Sequence, residues 1–294
     1  MTGQHPCWAC DSLNTSLLRE GVDEAALVAA DFRITDANYG STGDIYQCAD
    51  CGLRFCPTLG EVLHQYEAMD DPEYEATREQ RLVQARNILK HFAPGENPRL
   101  LDVGAGSGIL VEAAGLAGFD AKGVEPSHNL ADIAVSRGLP VLRGTLDDHS
   151  FDQPFGLVCL IDVLEHVTDP LALVGGLAEV MDDRSRAVII TPDVSSLLAK
   201  VLGRHWWHYR IAHVSYFDRK SAEVLLSRAG LEIESVNRPG WCLPADYLFN
   251  RVMSYLPAAL RVNPPSFLGR INIPLNLGDS LMLVCRKQSS LQLR

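Results

Sequence analysis

A glycine-rich turn at the end of an apolar strand constrains this chain more than any other feature. Residues 101–108 read Leu-Asp-Val-Gly-Ala-Gly-Ser-Gly, between a strand predicted over 99–103 and an amphipathic helix that begins near Ile109. Glycines at such a turn let the backbone bend sharply and let a ligand approach the main chain. Glu125, about 20 residues later at the predicted end of the next strand, is placed to accept the two hydroxyls of a ribose. The pattern predicts a nucleoside site.

The spacing of the glycines discriminates among nucleoside ligands. A dinucleotide fold requires Gly-x-Gly-x-x-Gly, whose third glycine would stand where Ile109 does. No Gly-Lys-Ser/Thr follows the turn, which excludes a phosphate-binding P-loop. Asp102 would repel a pyrophosphate but attract a ligand that carries an amino group. The candidate contacts for such a cationic nucleoside are Asp102, Gly104, Ala105, Gly106, Gly108 and Glu125.

With two later motifs, these residues give the chain a resemblance to the class I S-adenosylmethionine-dependent methyltransferases. Residues 144–147 read Gly-Thr-Leu-Asp, and the resemblance implies that Leu146 packs on the adenine and that Asp147 accepts from its amino group. Residues 162–170 resemble the Asp-x-x-Glu-His-x-x-Asp-Pro signature of the ubiquinone-type group. This implies S-adenosylmethionine as the cofactor, with Asp162 near its sulfonium. For His166, helix capping and catalysis both stay open.

Short apolar strands alternate with helices after residue 97, which predicts a mostly parallel sheet covered on both faces. The resemblance implies an α/β, Rossmann-like, seven-stranded sheet of order 3-2-1-4-5-7-6 with an antiparallel last strand. Strands after the first are predicted at 121–124, 140–143, 156–161, 187–191, 231–237 and 280–285, and the clearest helices at 130–137, 171–181 and 221–229. The predicted division is a zinc-ribbon module (1–60), a helical linker (61–96) and a methyltransferase domain (97–294) with a substrate-side insert at 239–278.

Four of the eight cysteines form two Cys-x-x-Cys pairs, Cys7 with Cys10 and Cys48 with Cys51. In a reducing compartment, pairs at this spacing are metal ligands rather than disulfides. Two such pairs give a closed tetrahedral thiolate site, which is typical of structural Zn²⁺. Apolar residues around the second pair predict two short strands, and therefore a zinc ribbon with a structural or substrate-lid role.

Length and charge set broader limits. A chain of 294 residues holds one large domain and a small one. The N-terminus lacks a secretory-signal pattern and no run approaches the roughly 20 apolar residues of a membrane span, which predicts a cytoplasmic protein. The net charge is −11, yet residues 200–294 carry 13 basic and 6 acidic side chains. An anionic partner and a solvated basic face both explain this asymmetry.

The aromatic stretch 203–217 is predicted to line the acceptor site, because it follows the fifth strand on the ligand side of the sheet. It holds three histidines, two tryptophans, two tyrosines and two arginines. Related small-molecule methyltransferases carry a His-x-x-x-Phe element here, which matches His213 and Phe217. His213, with a pKa near neutral, is the first candidate for general base, and His208 and Tyr209 are second candidates. A structural His213 that bonds a neighbouring loop is the alternative.

The insert 239–278 combines the apolar face of a predicted helix with three arginines, Arg251, Arg261 and Arg270. It is interpreted either as a lid or homodimer face, or as a surface for a phosphate-bearing acceptor or for peripheral membrane contact.

The predicted function is S-adenosylmethionine-dependent methyl transfer to a small-molecule acceptor, such as a sugar, glycan or lipid-linked precursor or a secondary metabolite, with a histidine base. The first alternative is an RNA methyltransferase, since some of these also join an N-terminal zinc module to this fold. The acidic module and the absence of an Asn-Pro-Pro-Tyr-type motif disfavour nucleic acid. The second alternative, a catalytically silent binding or scaffold protein, is disfavoured by the intact glycine turn.

Overall fold

The computed structural model describes residues 5–22, 27, 33, 39–59, 67, 72–257 and 260–289. Much of the predicted linker, at 61–66 and 68–71, lies outside these residues. In chain order, the strands are β1 (Thr15–Arg19), β2 (Ile45–Cys48), β3 (Arg54–Phe55), β4 (Arg99–Val103), β5 (Asp120–Glu125), β6 (Val141–Arg143), β7 (Phe155–Ile161), β8 (Met181–Pro192), β9 (Ser215–Tyr216), β10 (Leu231–Asn237), β11 (Trp241–Pro244), β12 (Asn272–Leu275) and β13 (Ser280–Lys287). The α-helices are Pro72–Ala76, Arg78–Leu89, Ile109–Leu116, His128–Ser136, Pro170–Glu179, Leu197–Leu202, Arg219–Arg228 and Ala245–Ser254.

Seven strands form one sheet in the order β10-β13-β8-β7-β4-β5-β6. Strand β4 pairs in parallel with β5 and β7, and β7 pairs in parallel with β8. The last strand, β13, runs antiparallel to both β8 and β10. When these seven strands are numbered along the chain, the order is the predicted 3-2-1-4-5-7-6. The predicted Rossmann-like α/β fold is therefore confirmed.

Alternation along the central strands separates two apolar cores, one on each face of the sheet. Leu101 and Val103 of β4 belong to one buried cluster, whereas Leu100 belongs to the other. Because successive side chains of a strand point to opposite faces, both faces must be covered. The helices Arg78–Leu89 and Ile109–Leu116 contribute to the cluster that contains Leu100.

Strand β8 is longer than its apolar pattern indicates. The prediction placed the strand at 187–191 and ended the preceding helix at Met181, but the helix ends at Glu179 and Met181 begins β8. Residues 182–186 read Asp-Asp-Arg-Ser-Arg, a polar run without strand-like alternation. The Ser185 hydroxyl donates to the carbonyl oxygen of Phe155 (2.6 Å), which ties this polar run to β7.

The N-terminal strands share a second sheet with one strand of the aromatic stretch 203–217. Its order is β1-β2-β3-β9, so β9 joins a sheet that otherwise contains only N-terminal strands. Phe55 pairs with Ser215, and the amide of Cys56 donates to the carbonyl oxygen of Val214 (2.8 Å). Phe55 also belongs to the core cluster that contains Phe217 and residues of the seven-stranded sheet. The module is therefore packed into the main core.

In the insert, β11 pairs antiparallel with β12, and the helix Ala245–Ser254 lies between these two strands in sequence. Val252, Leu260 and Phe267 are exposed on it. No helix in the described part of the chain combines the length and apolarity needed to cross a bilayer.

Because the N-terminal module packs into the main core, we predict that Phe55→Ala greatly lowers the free energy of unfolding. The Phe55 side chain is 0% exposed, whereas that of Phe267 is 61% exposed and provides a matched control. We expect Phe55→Ala to lower the free energy of unfolding by about 3–5 kcal/mol and Phe267→Ala to change it by less than about 0.5 kcal/mol. Urea unfolding of the full chain measures both. If Phe55→Ala left the urea midpoint of the main unfolding transition at its wild-type value, the N-terminal module would not share the main core.

Candidate active site

The turn after β4 adopts backbone conformations that favour glycine. Gly104, Gly106 and Gly108 have φ angles of 77°, 53° and 77°, in the left-handed region. A Cβ on Gly106 would lie 2.5 Å from the Tyr74 hydroxyl. The amides of Gly104 and Ala105 both donate to the carbonyl oxygen of Val124, at 2.9 and 3.0 Å, which holds the turn against the end of β5.

The turn opens onto a cavity of about 620 Å³ at the C-terminal edge of the parallel strands. The cavity lining includes the predicted cofactor contacts Asp102, Gly104, Ala105, Gly106, Glu125, Leu146, Asp147 and Asp162. Gly108 does not line it. Its φ of 77° begins the helix Ile109–Leu116, and a Cβ there would lie 2.7 Å from Leu139. Gly108 therefore serves the packing of that helix.

Two buried carboxyl groups lie beside the turn. Glu125 accepts from the amides of Gly106 and Ser127, both at 2.7 Å. Burial nevertheless raises the pKa of Glu125 to about 7, because the two amides offset the desolvation only in part. Burial, with a further contribution from the Glu125 charge, raises the pKa of Asp102 to about 8. A cationic ligand in the cavity would favour the ionised form of both groups.

Tyr74 and Arg81 line the same cavity but were not predicted from the sequence. The Arg81 guanidinium lies 4.3 Å from the centroid of the Tyr74 ring. Both residues belong to the short helices that precede β4, in a segment rich in Arg, Gln and Glu where no spacing marks them out. An arginine here provides a partner for an anionic group of a ligand.

Asp162 directly follows β7 and lines the cavity. Its φ of 53° is left-handed, a conformation that aspartate tolerates better than most side chains. The Asp162 amide donates to the carbonyl oxygen of Ile190 (2.9 Å). Although Asp162 is open to the cavity, desolvation by the surrounding protein raises its pKa to about 6, and the charges of Arg81 and Arg210 oppose the rise. The structure thus fixes a carboxyl group between the two ends of the cavity.

Histidines form the other end of the cavity, which His166, His208 and His213 all line. The rings of His208 and His213 are stacked with centroids 5.6 Å apart, and the ring of His166 meets that of His213 edge-on at 4.6 Å. Nε2 of His208 lies 3.5 Å from a carboxylate oxygen of Asp279. Burial acts to raise the pKa of Asp279, but contact with His208 keeps that pKa below its ordinary value. Asp279, which lies 71 positions after His208 in sequence, was not predicted.

The near-neutral pKa expected for His213 is wrong. The pKa of His213 lies well below its ordinary value, chiefly because the ring is buried and also because His166 and Arg210 disfavour its positive charge. Burial lowers the pKa of His208 as well, but its hydrogen bond to Asp279 opposes that effect. Of the two rings, His208 is therefore the better proton acceptor.

Tyr209 lies outside the cavity lining. Its hydroxyl accepts from the Arg54 guanidinium (2.9 Å), and the Arg19 guanidinium lies 4.3 Å from its ring centroid. Both arginines belong to the N-terminal sheet. Tyr209 thus connects that sheet to the segment that carries His208 and Arg210.

The sulfur atoms of Cys7, Cys10, Cys48 and Cys51 form a four-cysteine cluster in which all four lie within 4.8 Å of one another. Sγ of Cys7 is 3.5 Å from Sγ of Cys51, and Sγ of Cys10 is 3.6 Å from Sγ of Cys48. Hydrogen bonding with Cys51 lowers the pKa of the Cys7 thiol to about 5. Four cysteine sulfurs in this arrangement suit one tetrahedral metal ion.

Comparison with known proteins identifies the family. The chain matches the family model described as a methyltransferase domain over residues 74–236, more than half of its length. It belongs to that family, within the class of S-adenosylmethionine-dependent methyltransferases. A ubiquinone biosynthesis O-methyltransferase of Hydrogenovibrio crunogenus is 29% identical over 100 residues, which cover 31% of this chain and 42% of that protein. The match thus spans about two fifths of the length of that curated relative.

Solved structures agree in fold. An S-adenosylmethionine-dependent methyltransferase from Archaeoglobus fulgidus aligns with a TM-score of 0.51 and 16% identity, over 74% of this chain and 100% of that one. A putative methyltransferase from Haloferax volcanii, in complex with the Trm112 methyltransferase activator, aligns with a TM-score of 0.52 and 14% identity, over 74% of this chain and 93% of that one.

The geometry of the turn predicts that Gly106→Ala weakens cofactor binding. An alanine would have to adopt a left-handed φ and avoid the Tyr74 hydroxyl, which disturbs the bond from the Gly106 amide to Glu125. We expect the dissociation constant for S-adenosylhomocysteine, measured by calorimetry, to rise by about tenfold or more, since one to two kcal/mol of strain has that effect.

Gly175→Ala is the matched control. Gly175 lies within the helix Pro170–Glu179, and a Cβ there meets no atom within 4 Å. We expect unchanged affinity and a free energy of unfolding that is unchanged or up to about 1 kcal/mol higher. Equal affinity in both alanine variants would contradict the role given to the turn.

Proposed function

We propose that the protein transfers a methyl group from S-adenosylmethionine to a hydroxyl of a small molecule bound at the histidine end of the cavity. The observation that carries this proposal is one continuous cavity. It joins the glycine turn and Glu125 to His208 and His213. The names of the curated relatives support an oxygen acceptor. A sugar, a glycan or lipid-linked precursor, or a secondary metabolite fits such a pocket.

Each residue at the glycine end would contact a different part of the cofactor. Glu125 would accept the ribose hydroxyls, and Leu146 and Asp147 would contact the adenine. Asp102 attracts the amino group of the methionine portion, while Arg81 would meet its carboxylate. Asp162 then lies nearest the sulfonium, whose methyl group is the electrophile. These assignments leave the histidine end for the acceptor.

His208 is the proposed general base. When Nε2–H of His208 is directed to Asp279, the Nδ1 atom carries the lone pair that accepts the proton of the acceptor. Asp279 also accepts from the indole N–H of Trp206 (3.3 Å), which holds the carboxylate in place. A buried carboxylate that orients a histidine and stabilises its charged form is an arrangement that catalysis uses repeatedly. The methyl carbon forms its new bond to oxygen as the carbon–sulfur bond breaks.

We propose a structural Zn²⁺ ion in the four-cysteine cluster and a cytoplasmic location, where the thiols stay reduced. The predicted module at 1–60 would then hold the acceptor wall in place, because its sheet includes β9. A metal site with four thiolates leaves no open position for catalysis.

We propose that the insert 239–278 acts as a lid or an interface. Arg251 donates to the hydroxyl of Tyr247 (2.6 Å), and its guanidinium lies 5.2 Å from the ring centroid of Tyr39. Arg261 donates to the carbonyl oxygen of Leu256 (3.0 Å). These contacts favour a packing role over the binding of a phosphate-bearing acceptor.

The acceptor and the base are tested together. The purified chain is incubated with methyl-labelled S-adenosylmethionine and a small-molecule extract, and the labelled product is identified by mass spectrometry. With that acceptor, we expect His208→Gln to lower kcat by about 10²–10⁴-fold, with S-adenosylhomocysteine affinity within about twofold of wild type. His205→Gln, at an exposed position of the same segment, is the control. Wild-type kcat in His208→Gln would refute the assignment.

Cofactor affinity should depend on pH. In the ligand-free protein the pKa of Glu125 is about 7 and that of Asp102 about 8, so both groups are largely protonated at pH 6. A cationic ligand favours the ionised carboxylates, and its binding must therefore release protons. We expect affinity for S-adenosylmethionine to rise between pH 6 and 8.5 and to level off above.

Calorimetry in buffers of different ionisation enthalpy measures the released protons. Asp102→Asn should reduce both the proton release and the pH dependence. Affinity that stays constant across this range in the wild type would show that the carboxyl groups do not face the cationic part of the cofactor.

A further inference from the structure

Arg210 lines the histidine end of the cavity, and the proposed methyl transfer does not use it. Among the described residues that line the cavity, the permanently charged cations are Arg81 and Arg210. Arg81 lies on the helix Arg78–Leu89 and is assigned to the carboxylate of the cofactor. Arg210 stands two positions after His208 and three before His213. Its charge therefore belongs to the end of the cavity where the acceptor is proposed to bind.

The surrounding structure holds the Arg210 side chain in place. The residue is 9% exposed, and Nη2 donates to the carbonyl oxygen of Arg33. The amide of His213 donates to the carbonyl oxygen of Arg210 (3.0 Å), which fixes the backbone of the arginine relative to that histidine. A guanidinium carries five N–H donors in one rigid plane, so it can keep a backbone contact and also bind a carboxylate or a phosphate.

The neighbouring imidazoles and Glu165 add no compensating charge. Burial lowers the pKa of His166 to about 3 and lowers the pKa values of His208 and His213 as well. All three rings are therefore uncharged at neutral pH. Burial also raises the pKa of Glu165 well above its ordinary value, so this carboxyl group is protonated. Arg210 thus keeps its positive charge among neutral groups.

Two carboxylates that line or adjoin this end of the cavity already have contacts of their own. Asp279 accepts from the indole N–H of Trp206 (3.3 Å) and lies 3.5 Å from Nε2 of His208. Asp169 accepts from the amide of Ala172 (2.9 Å), where it caps the start of a helix. These contacts use the two carboxylates to orient a ring and to begin a helix.

Asp162 is the remaining carboxyl group, and it would face two positive charges once the cofactor is bound. One is the Arg210 guanidinium, which already acts on its pKa, and the other is the sulfonium. At the glycine end, by contrast, the amino group and the carboxylate of the cofactor are matched by Asp102 and Arg81. The charges at the histidine end are balanced only if the acceptor brings a negative charge of its own.

We propose that Arg210 binds an acidic group of the methyl acceptor, a carboxylate or a phosphate, and so selects anionic acceptors over neutral ones. This inference rests on the proposed methyl transfer and names the chemical class of its acceptor. Charge-assisted hydrogen bonds from the guanidinium hold the acidic group and help to direct the reacting hydroxyl to His208. A neutral analogue is rejected, because it would displace water from the guanidinium without supplying an anion in exchange.

Binding of the acidic group also improves the base. The charge of Arg210 is one of the causes that lower the pKa of His208. An anion that pairs with Arg210 offsets this charge, so His208 accepts a proton more readily when an acidic acceptor is bound. Recognition of the acceptor and activation of its hydroxyl are thereby connected.

Small probes test the site before the acceptor is known. The full chain is saturated with S-adenosylmethionine, and the binding of benzoate, benzamide and inorganic phosphate is followed by nuclear magnetic resonance of the histidine ring signals. Benzoate and benzamide have similar shapes and differ in charge. We expect benzoate or phosphate to bind at least about tenfold more tightly than benzamide. The tighter of the two anions indicates whether the acidic group is a carboxylate or a phosphate.

Three variants assign the preference to Arg210. Arg210→Gln should abolish the preference for anions, and Arg210→Lys, which keeps the charge but not the planar fork, should retain a weaker one. Arg204→Gln, at an exposed position of the same segment, should behave as the wild type does. Binding of S-adenosylmethionine by calorimetry shows that each variant is folded. An anion preference that Arg210→Gln leaves unchanged would overturn the proposal, since the anion would then bind elsewhere.

The wild-type protein alone also decides the question. Equal affinity for benzoate and benzamide, with no binding of phosphate, would overturn the proposal whatever the variants do. In the labelling experiment, the small-molecule extract is first divided on an anion exchanger. We expect labelled product only from the retained acids, and phosphatase treatment of that fraction should remove the acceptor if it is a phosphate monoester.

The same experiment distinguishes failure of this inference from failure of the proposed function. Labelled product that arises only from the unretained, neutral fraction overturns the acidic acceptor and leaves the methyl transfer intact. Absence of label from both fractions would instead contradict the methyl transfer, and the benzoate and benzamide comparison would still decide whether Arg210 binds anions.

Discussion

Burial of carboxyl groups at the C-terminal edge of the sheet is the constraint on which the rest of the site depends. Asp102, Glu125 and Glu165 are all buried there, and desolvation raises the pKa of each. Backbone amides and arginines compensate only in part. Buried ionisable groups without full compensation reduce stability, so a fold that keeps three of them together has a use for them. Cationic or hydrogen-bond-donating ligands would supply the missing interactions.

Pairing of β3 with β9 gives the N-terminal module a direct connection to the segment 203–217, whose histidines line the cavity. The connection explains why Tyr209, a candidate base by sequence, lies away from the cavity while its neighbours His208 and Arg210 line it. The side chain of Tyr209 is directed to Arg54 and Arg19 in the N-terminal sheet. A rigid anchor on one side of this segment keeps the opposite side, which carries the histidines, in a defined position. The four-cysteine cluster, which lies in the same N-terminal module, is thereby linked to the segment that carries the histidines.

The sequence predicts those parts of the molecule whose signals are local. The glycine turn, the alternation of strands and helices and the paired cysteines each lie within a short window, and the sheet order follows from the family resemblance. The parts that were missed depend on tertiary contacts between distant residues. Asp279 meets His208, β9 joins β3, and Arg81 reaches the cavity from a helix with no distinguishing pattern. The polar half of β8 was missed for a different reason, since Met181 and Arg186 pair with β7 on either side of an irregular polar stretch, and this pairing overrides weak local preference.

Asp162 lies within electrostatic reach of two arginines that line the cavity, Arg81 and Arg210. Its left-handed backbone costs about 1–3 kcal/mol in a non-glycine residue, and such strain persists only where the surroundings hold it. Here the bond from its amide to Ile190 anchors the backbone to β8, while Arg81 on the glycine side and Arg210 on the histidine side both act on its carboxyl group. The ionisation of this carboxyl group therefore depends on the charges of both arginines. A cationic ligand at either end would favour the ionised form of Asp162, and its charge would then act on a ligand at the other end. Cofactor binding and acceptor binding should therefore be electrostatically linked through this residue.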